Sequence, residues 1–106
     1  MTLVIVWEYD VPAENAAHFE EHYGENGVWA QFFAQANGFQ KTMLLRKAGG
    51  GYVTLDFWNS RADYDAFMAR ARERYEGIDR ECESLTSAER CIGKFESYEP
   101  AKMSKT

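Results

Sequence analysis

The sequence predicts an α+β fold: a four-stranded antiparallel sheet with helices on one face, in the order βαββαβ. Three observations lead there. Four runs rich in β-branched and aromatic residues, at 3–11, 39–46, 52–58 and 91–98, are bounded by turn residues. The stretches between them, 12–37 and 60–85, space their apolar residues at the helical period. The chain has 106 residues, 45% of them apolar, which is enough for one domain, expected over residues 1–98, around one core.

The first strand, Leu3 to Val11, puts Leu3, Ile5, Trp7, Tyr9 and Val11 on one face. Val4 and Val6 make its other face apolar too, so both faces need cover. Pro12 suits the first position of a helix, and Glu14 meets its dipole. Ala16, Phe19 and Tyr23 form the buried stripe, with Asn15 and His22 at its margin. Gly24 to Gly27 interrupts the pattern. It resumes with Trp29, Phe32, Phe33 and Ala36, and Asn37-Gly38 closes it.

Phe39 to Arg46 and Tyr52 to Trp58 form a hairpin around Gly49-Gly50-Gly51. A glycine loop that cradles phosphate must open a helix; this one opens a strand, so it reads as a turn. Ser60 then caps the second helix, with Asp63 three residues on. Tyr64, Phe67, Met68, Ala71 and Tyr75 fall on one stripe. Ile78, Cys82 and Leu85 continue it past Gly77, where a break or kink is expected. Cys91 to Tyr98 is the last strand, and Glu99 to Thr106 a polar tail.

Right-handed crossovers and one hairpin make this the ferredoxin-like arrangement, with both helices on one side of the sheet. Val53, Leu55 and Phe57 then face the other side, and no chain is left to cover them. Leaving such a face wet forfeits ~25 cal/mol per Å² of apolar surface, so a second copy is expected against it, giving a homodimer.

The formal charge of −5 argues against a nucleic-acid partner, which asks for a basic stripe. The longest apolar run, Leu3 to Trp7, is too short for a membrane span or a signal h-region. With no basic segment after Met1, a cytoplasmic location without membrane contact is expected. Cys82 and Cys91 form no CxxC and read as reduced thiols. His18 to His22 spells H-x-x-E-H, but Phe19 and Tyr23 own that helix's buried stripe, so no metal site is expected.

Gly38-Phe39 opening the second strand and Trp58-Asn59-Ser60 ending the third resemble the dimeric α+β barrel superfamily, in particular its antibiotic-biosynthesis-monooxygenase group. The resemblance covers roughly residues 2 to 98. It implies sheets paired in a dimeric barrel and a pocket between each sheet and its helices. It also implies cofactor-independent oxygenation of a small aromatic, polyketide or quinol-like molecule by O2. The polyketide branch places a tryptophan at the end of strand three and a tyrosine near the start of the next helix. Trp58 and Tyr64 match these positions, and Thr54 stands where that branch has an asparagine. The haem-degrading branch uses a histidine on the second helix and an asparagine on strand one, and residues 61–85 and 1–11 supply neither.

The candidate catalytic residues are therefore Trp58, Tyr64 and His22. Trp58 offers a stacking floor, Tyr64 a hydroxyl donor, and His22 a base near neutral pH. Asn15, Thr54, Phe19, Trp29, Phe33 and Arg74 are the candidate binding residues, with neither metal nor cofactor expected. For the aromatic members, plain core packing is the competing reading. The alternatives in function are a non-catalytic binder of a small ligand, or a haem-binding or haem-degrading relative.

Overall fold

The computed structural model describes residues 2–98, so the tail expected at 99–106 lies outside it. The strands are β1 (Leu3–Asp10), β2 (Phe39–Arg46), β3 (Tyr52–Trp58) and β4 (Ala88–Glu96). They pair antiparallel in the order β2-β3-β1-β4. The helices are α1 (Ala16–Tyr23), α2 (Val28–Phe33) and α3 (Arg61–Cys82). The βαββαβ ferredoxin-like expectation holds.

β2 and β3 begin and end where the sequence places them, because strong punctuation flanks both. Gly49, Gly50 and Gly51 all take positive φ in the hairpin loop. At Gly51 a Cβ would also come within 2.7 Å of the Tyr9 carbonyl, so this turn tolerates no side chain. Ser60 caps α3 as expected, its Oγ accepting the Asp63 amide at 3.1 Å.

Several boundaries differ from expectation: β1 ends at Asp10, α2 at Phe33 and β4 at Glu96. The segment after Pro12 makes a 3-10 turn at Ala13–Asn15 before the α-helix proper starts. The interruption of α3 falls at Ala71 (φ −112°, ψ 15°), not at Gly77. A helical glycine weakens a helix without having to bend it. β4 starts three residues earlier than its apolar residues suggest, because ladder hydrogen bonds need no apolar side chain. Glu89 and Arg90 pair with Tyr9 and Glu8. Arg90 is held there by Glu8 at 3.0 Å and Asp10 at 3.2 Å.

Leu3, Ile5, Tyr9, Tyr52, Thr54, Trp58 and Thr42 form the buried helix-side face of the sheet. Phe19, Tyr23, Trp29, Phe32, Phe33, Phe67, Ile78 and Cys82 meet it from the helices. The reverse face carries Val4, Val6, Val53, Leu55 and Phe57, all only half-buried. Beside them Ile92 and Phe95 stay 52% and 50% exposed. Among the described residues no helix is long and apolar enough to cross a membrane.

The pairing of β1 with β4 is irregular at one point. Val6 pairs with Gly93 but Trp7 pairs with Cys91, so Ile92 is an extra residue in β4. Such a bulge bends the strand and re-aims nearby side chains. Trp7, on the far side of the bulge, is half-buried where Leu3, Ile5 and Tyr9 on the same face are buried.

Candidate functional site

A narrow cleft opens between the sheet and the helices, about 430 Å³ only when the open solvent at its mouth is included. Six aromatic rings wall it: Trp7 and Tyr9 from β1, Tyr23 from α1, Trp29 and Phe33 from α2, and Tyr75 from α3. The polar lining is Thr42, Thr54 and Asp56 on the sheet, with Asp79 and Glu89 from α3 and β4. Strand alternation explains the sheet side. Tyr52, Thr54, Asp56 and Trp58 share the inward face of β3, so a carboxylate is carried under the helices between a threonine and a tryptophan.

Asp56 is the chemically distinctive member. Thr42 Oγ1 donates a 2.6 Å hydrogen bond to its Oδ1. Burial disfavours the charged form and pushes its pKa from 3.8 up to about 6, against the lowering effect of the Thr42 bond. Burial likewise raises the hydroxyls of Tyr9 and Tyr23 well above the ordinary tyrosine value. Tyr75 is pushed up to about 12, by burial first and by Asp79 second. At neutral pH the pocket thus holds, in Asp56, a carboxylate poised to take a proton beside several phenols that keep theirs. Thr54 Oγ1 makes a long 3.5 Å hydrogen bond to the Tyr9 hydroxyl. The indole N–H of Trp29 is buried with no acceptor among the described residues.

Three of the nine residues singled out from sequence line this cleft: Thr54, Trp29 and Phe33. Trp58 does not. Its indole is 0% exposed, packed by Phe33, Phe39, Tyr64 and Phe67 at centroid distances of 5.3 to 5.8 Å. The expected hollow beside it is filled by those four rings. Tyr64 stands edge-on to Trp58, with the Lys94 ammonium 5.1 Å from its ring centroid, and is not part of the lining. Phe19 is fully buried, stacked between Tyr23 and Tyr52 in the core.

The polar candidates are spent elsewhere. His22 Nδ1 lies 2.8 Å from the His18 carbonyl on the outside of α1. Asn15 Nδ2 donates to the Ser84 and Leu85 carbonyls and ties the first turn to the end of α3. Arg74 points to Glu81 at 3.8 Å on the exposed surface. Helical spacing put Asn15 and His22 at the stripe margin, and a margin residue is free to turn outward.

The residues that sequence reasoning missed are Trp7, Tyr9, Tyr23, Thr42, Asp56, Tyr75, Asp79 and Glu89. For Asp56 a signal was present: a carboxylate at an inward position of a strand whose other inward residues are apolar or threonine. Trp7 and Tyr9 carry no such mark, since alternation assigns a face but not whether that face is filled.

The family model described as antibiotic biosynthesis monooxygenase matches residues 2–73. No curated protein sequence matches the chain. Among solved structures, a mutant of SnoaB, a cofactor-independent oxygenase from Streptomyces nogalater, superposes with a TM-score of 0.69 at 20% identity, over 95% of this chain and 97% of that one. Rv0793 from Mycobacterium tuberculosis gives 0.66 at 11% identity, over 95% and 99%. The haem-degrader MhuD from the same organism gives 0.62 at 20% identity, over 92% and 97%. At these identities the likeness is one of fold.

Proposed function

The chain belongs to the antibiotic biosynthesis monooxygenase family, and on that premise we propose that it is a cofactor-independent monooxygenase of a small, planar, electron-rich aromatic such as a phenol, quinol or anthrone. The observation that carries the reading is Asp56: a half-buried carboxyl with a pKa of about 6, set on an aromatic-walled cleft. A base poised near neutral pH is what deprotonation of an acidic C–H or O–H requires.

In this reading the substrate lies between Trp7 and Trp29 and loses a proton to Asp56. The resulting anion passes electrons to O2, and recombination forms a carbon–oxygen bond. Loss of water leaves a carbonyl, so a ring CH2 and O2 become C=O and H2O. The substrate supplies both electrons that reduce the second oxygen atom. The neutral hydroxyls of Tyr9 and Tyr75 donate to the oxygen on which charge develops. Trp58 and Tyr64 hold Phe33 and the strand end from behind, without touching the substrate.

The test is oxygen consumption with 1,8-dihydroxyanthrone. The expected result is one O2 used per quinone formed, with one atom of ¹⁸O from labelled O2 in the product. Saturable binding with no oxygen uptake above the spontaneous rate would support the non-catalytic alternative instead.

The functional unit in this proposal is a homodimer formed through the reverse face of the sheet. Sedimentation velocity should give a single species of twice the chain mass. Leu55→Lys, at the middle of that face, should dissociate it or leave it unfolded. A wild-type monomer at micromolar concentration contradicts the pairing.

A further inference from the structure

We propose that the natural occupant of this cleft carries a positive charge: a planar aromatic bearing an ammonium or protonated amine opposite the group that Asp56 deprotonates. This names the substrate class of the site proposed above and rests on that reading.

The cleft is lined by three carboxylates, Asp56, Asp79 and Glu89, and by no lysine, arginine or histidine among the described residues. Lys47 and Arg90 sit on Glu8 at 2.7 and 3.0 Å, and Arg74 reaches Glu81. Lys94 lies over Tyr64. Asp79 and Glu89 make no salt bridge within 4.0 Å among the described residues, although they come from different elements and face one cleft. The Glu89 carboxyl is raised by partial burial first and by the charge of Asp79 second. An arrangement that brings two unpaired anions to one mouth is relieved by a cation between them.

The walls point the same way. Trp29 and Tyr75 meet with centroids 5.2 Å apart and planes at 59°, so they form a corner of two π-faces beside the acidic pair. Aromatic faces with nearby carboxylates are how proteins hold organic ammonium groups. The donor set does not favour a metal ion instead, since no three acidic, histidine or cysteine side chains converge among the described residues. The orphan indole N–H of Trp29, a residue 8% exposed, asks for an acceptor oxygen on the same ligand. Glu89 pairs across the sheet with Tyr9, while Asp56 sits opposite Ile5, four residues along β1. The acidic mouth and the proton acceptor are thus offset by roughly 13 Å along β1 and by two strand spacings across the sheet, so the ligand's cation lies at the end remote from its acidic hydroxyl or C–H.

Three probes differing only in charge test this by isothermal titration at pH 8 and low salt: 2-naphthylmethylammonium, 2-naphthylmethanol and 2-naphthoate. The ammonium should bind about tenfold more tightly than the alcohol, and the carboxylate most weakly. In the double variant Asp79→Asn/Glu89→Gln, at two exposed positions, the ammonium should fall to within about twofold of the alcohol measured in the same variant. An ammonium no tighter than the alcohol in the wild type, or an advantage that survives the double variant, overturns the charge assignment and leaves the pocket standing. Failure of all three probes to bind removes the pocket reading itself.

Discussion

Asp56→Asn should lower kcat/KM for oxygen uptake by about 10²- to 10⁴-fold, the range that positioned general bases contribute. The pH profile sharpens the expectation. In the wild type kcat/KM should rise tenfold per pH unit below about 6 and level off above it, following the Asp56 carboxyl. The variant should show a low, flat profile over that window.

The same substitution should raise stability. Asp56 has a folded pKa above its ordinary 3.8, so between about pH 4 and 6 the folded state binds more protons than the unfolded one. Unfolding free energy therefore falls as pH rises through that window, then stays flat. The asparagine variant escapes this penalty. At pH 8 it should be more stable by on the order of 2 kcal/mol, with the difference vanishing near pH 4, as thermal melts at the two pH values would show. A residue that costs stability while serving no packing role is what a functional site predicts. If Asp56→Asn destabilises at pH 8 and leaves turnover intact, the carboxylate is a structural partner of Thr42 and nothing more.

Trp58→Ala should be the most damaging single truncation in the chain. The indole is fully buried among Phe33, Phe39, Tyr64 and Phe67, so its removal leaves a large cavity at the junction of β3 and α3. Losses of ~3–5 kcal/mol are usual for such changes, a large part of the ~5–15 kcal/mol that holds a small domain together. Chemical denaturation should show a much lower midpoint or no cooperative transition. Trp58→Phe should be mild by comparison. It keeps most of the ring contacts and deletes an indole N–H that has no hydrogen-bond partner among the described residues. Ligand Kd should change by less than about threefold in Trp58→Phe, since the indole sits behind the cleft wall, out of reach of the occupant. A tenfold loss of affinity in this folded variant would return Trp58 to the binding surface.

The fold was legible because its signals are local. Strand alternation, the triple glycine, the Ser60 cap and Gly38 mark β2, β3 and the start of α3 without reference to the rest of the molecule. β4 was legible only in part, since its first half is held by backbone pairing and by Arg90 bridging two acids on β1. The site was least legible. Trp7 and Trp58 are both inward-facing tryptophans on neighbouring strands, and nothing in periodicity separates them. What separates them is packing. Four rings from distant positions close around Trp58, whereas Trp7, beside the bulge at Ile92, is half-buried and lines the cleft. The family pattern favours Trp58, while the inward carboxylate two residues before it stands in the same strand.

The chain holds three tryptophans, and each indole N–H gives its own signal in a ¹H–¹⁵N spectrum. Titration with 1,8-dihydroxyanthrone under nitrogen reads directly where the ligand sits. The Trp7 and Trp29 indole signals should move with ligand concentration while that of Trp58 stays in place. Movement of the Trp58 signal with Trp7 and Trp29 unperturbed would contradict a ligand seated in the cleft.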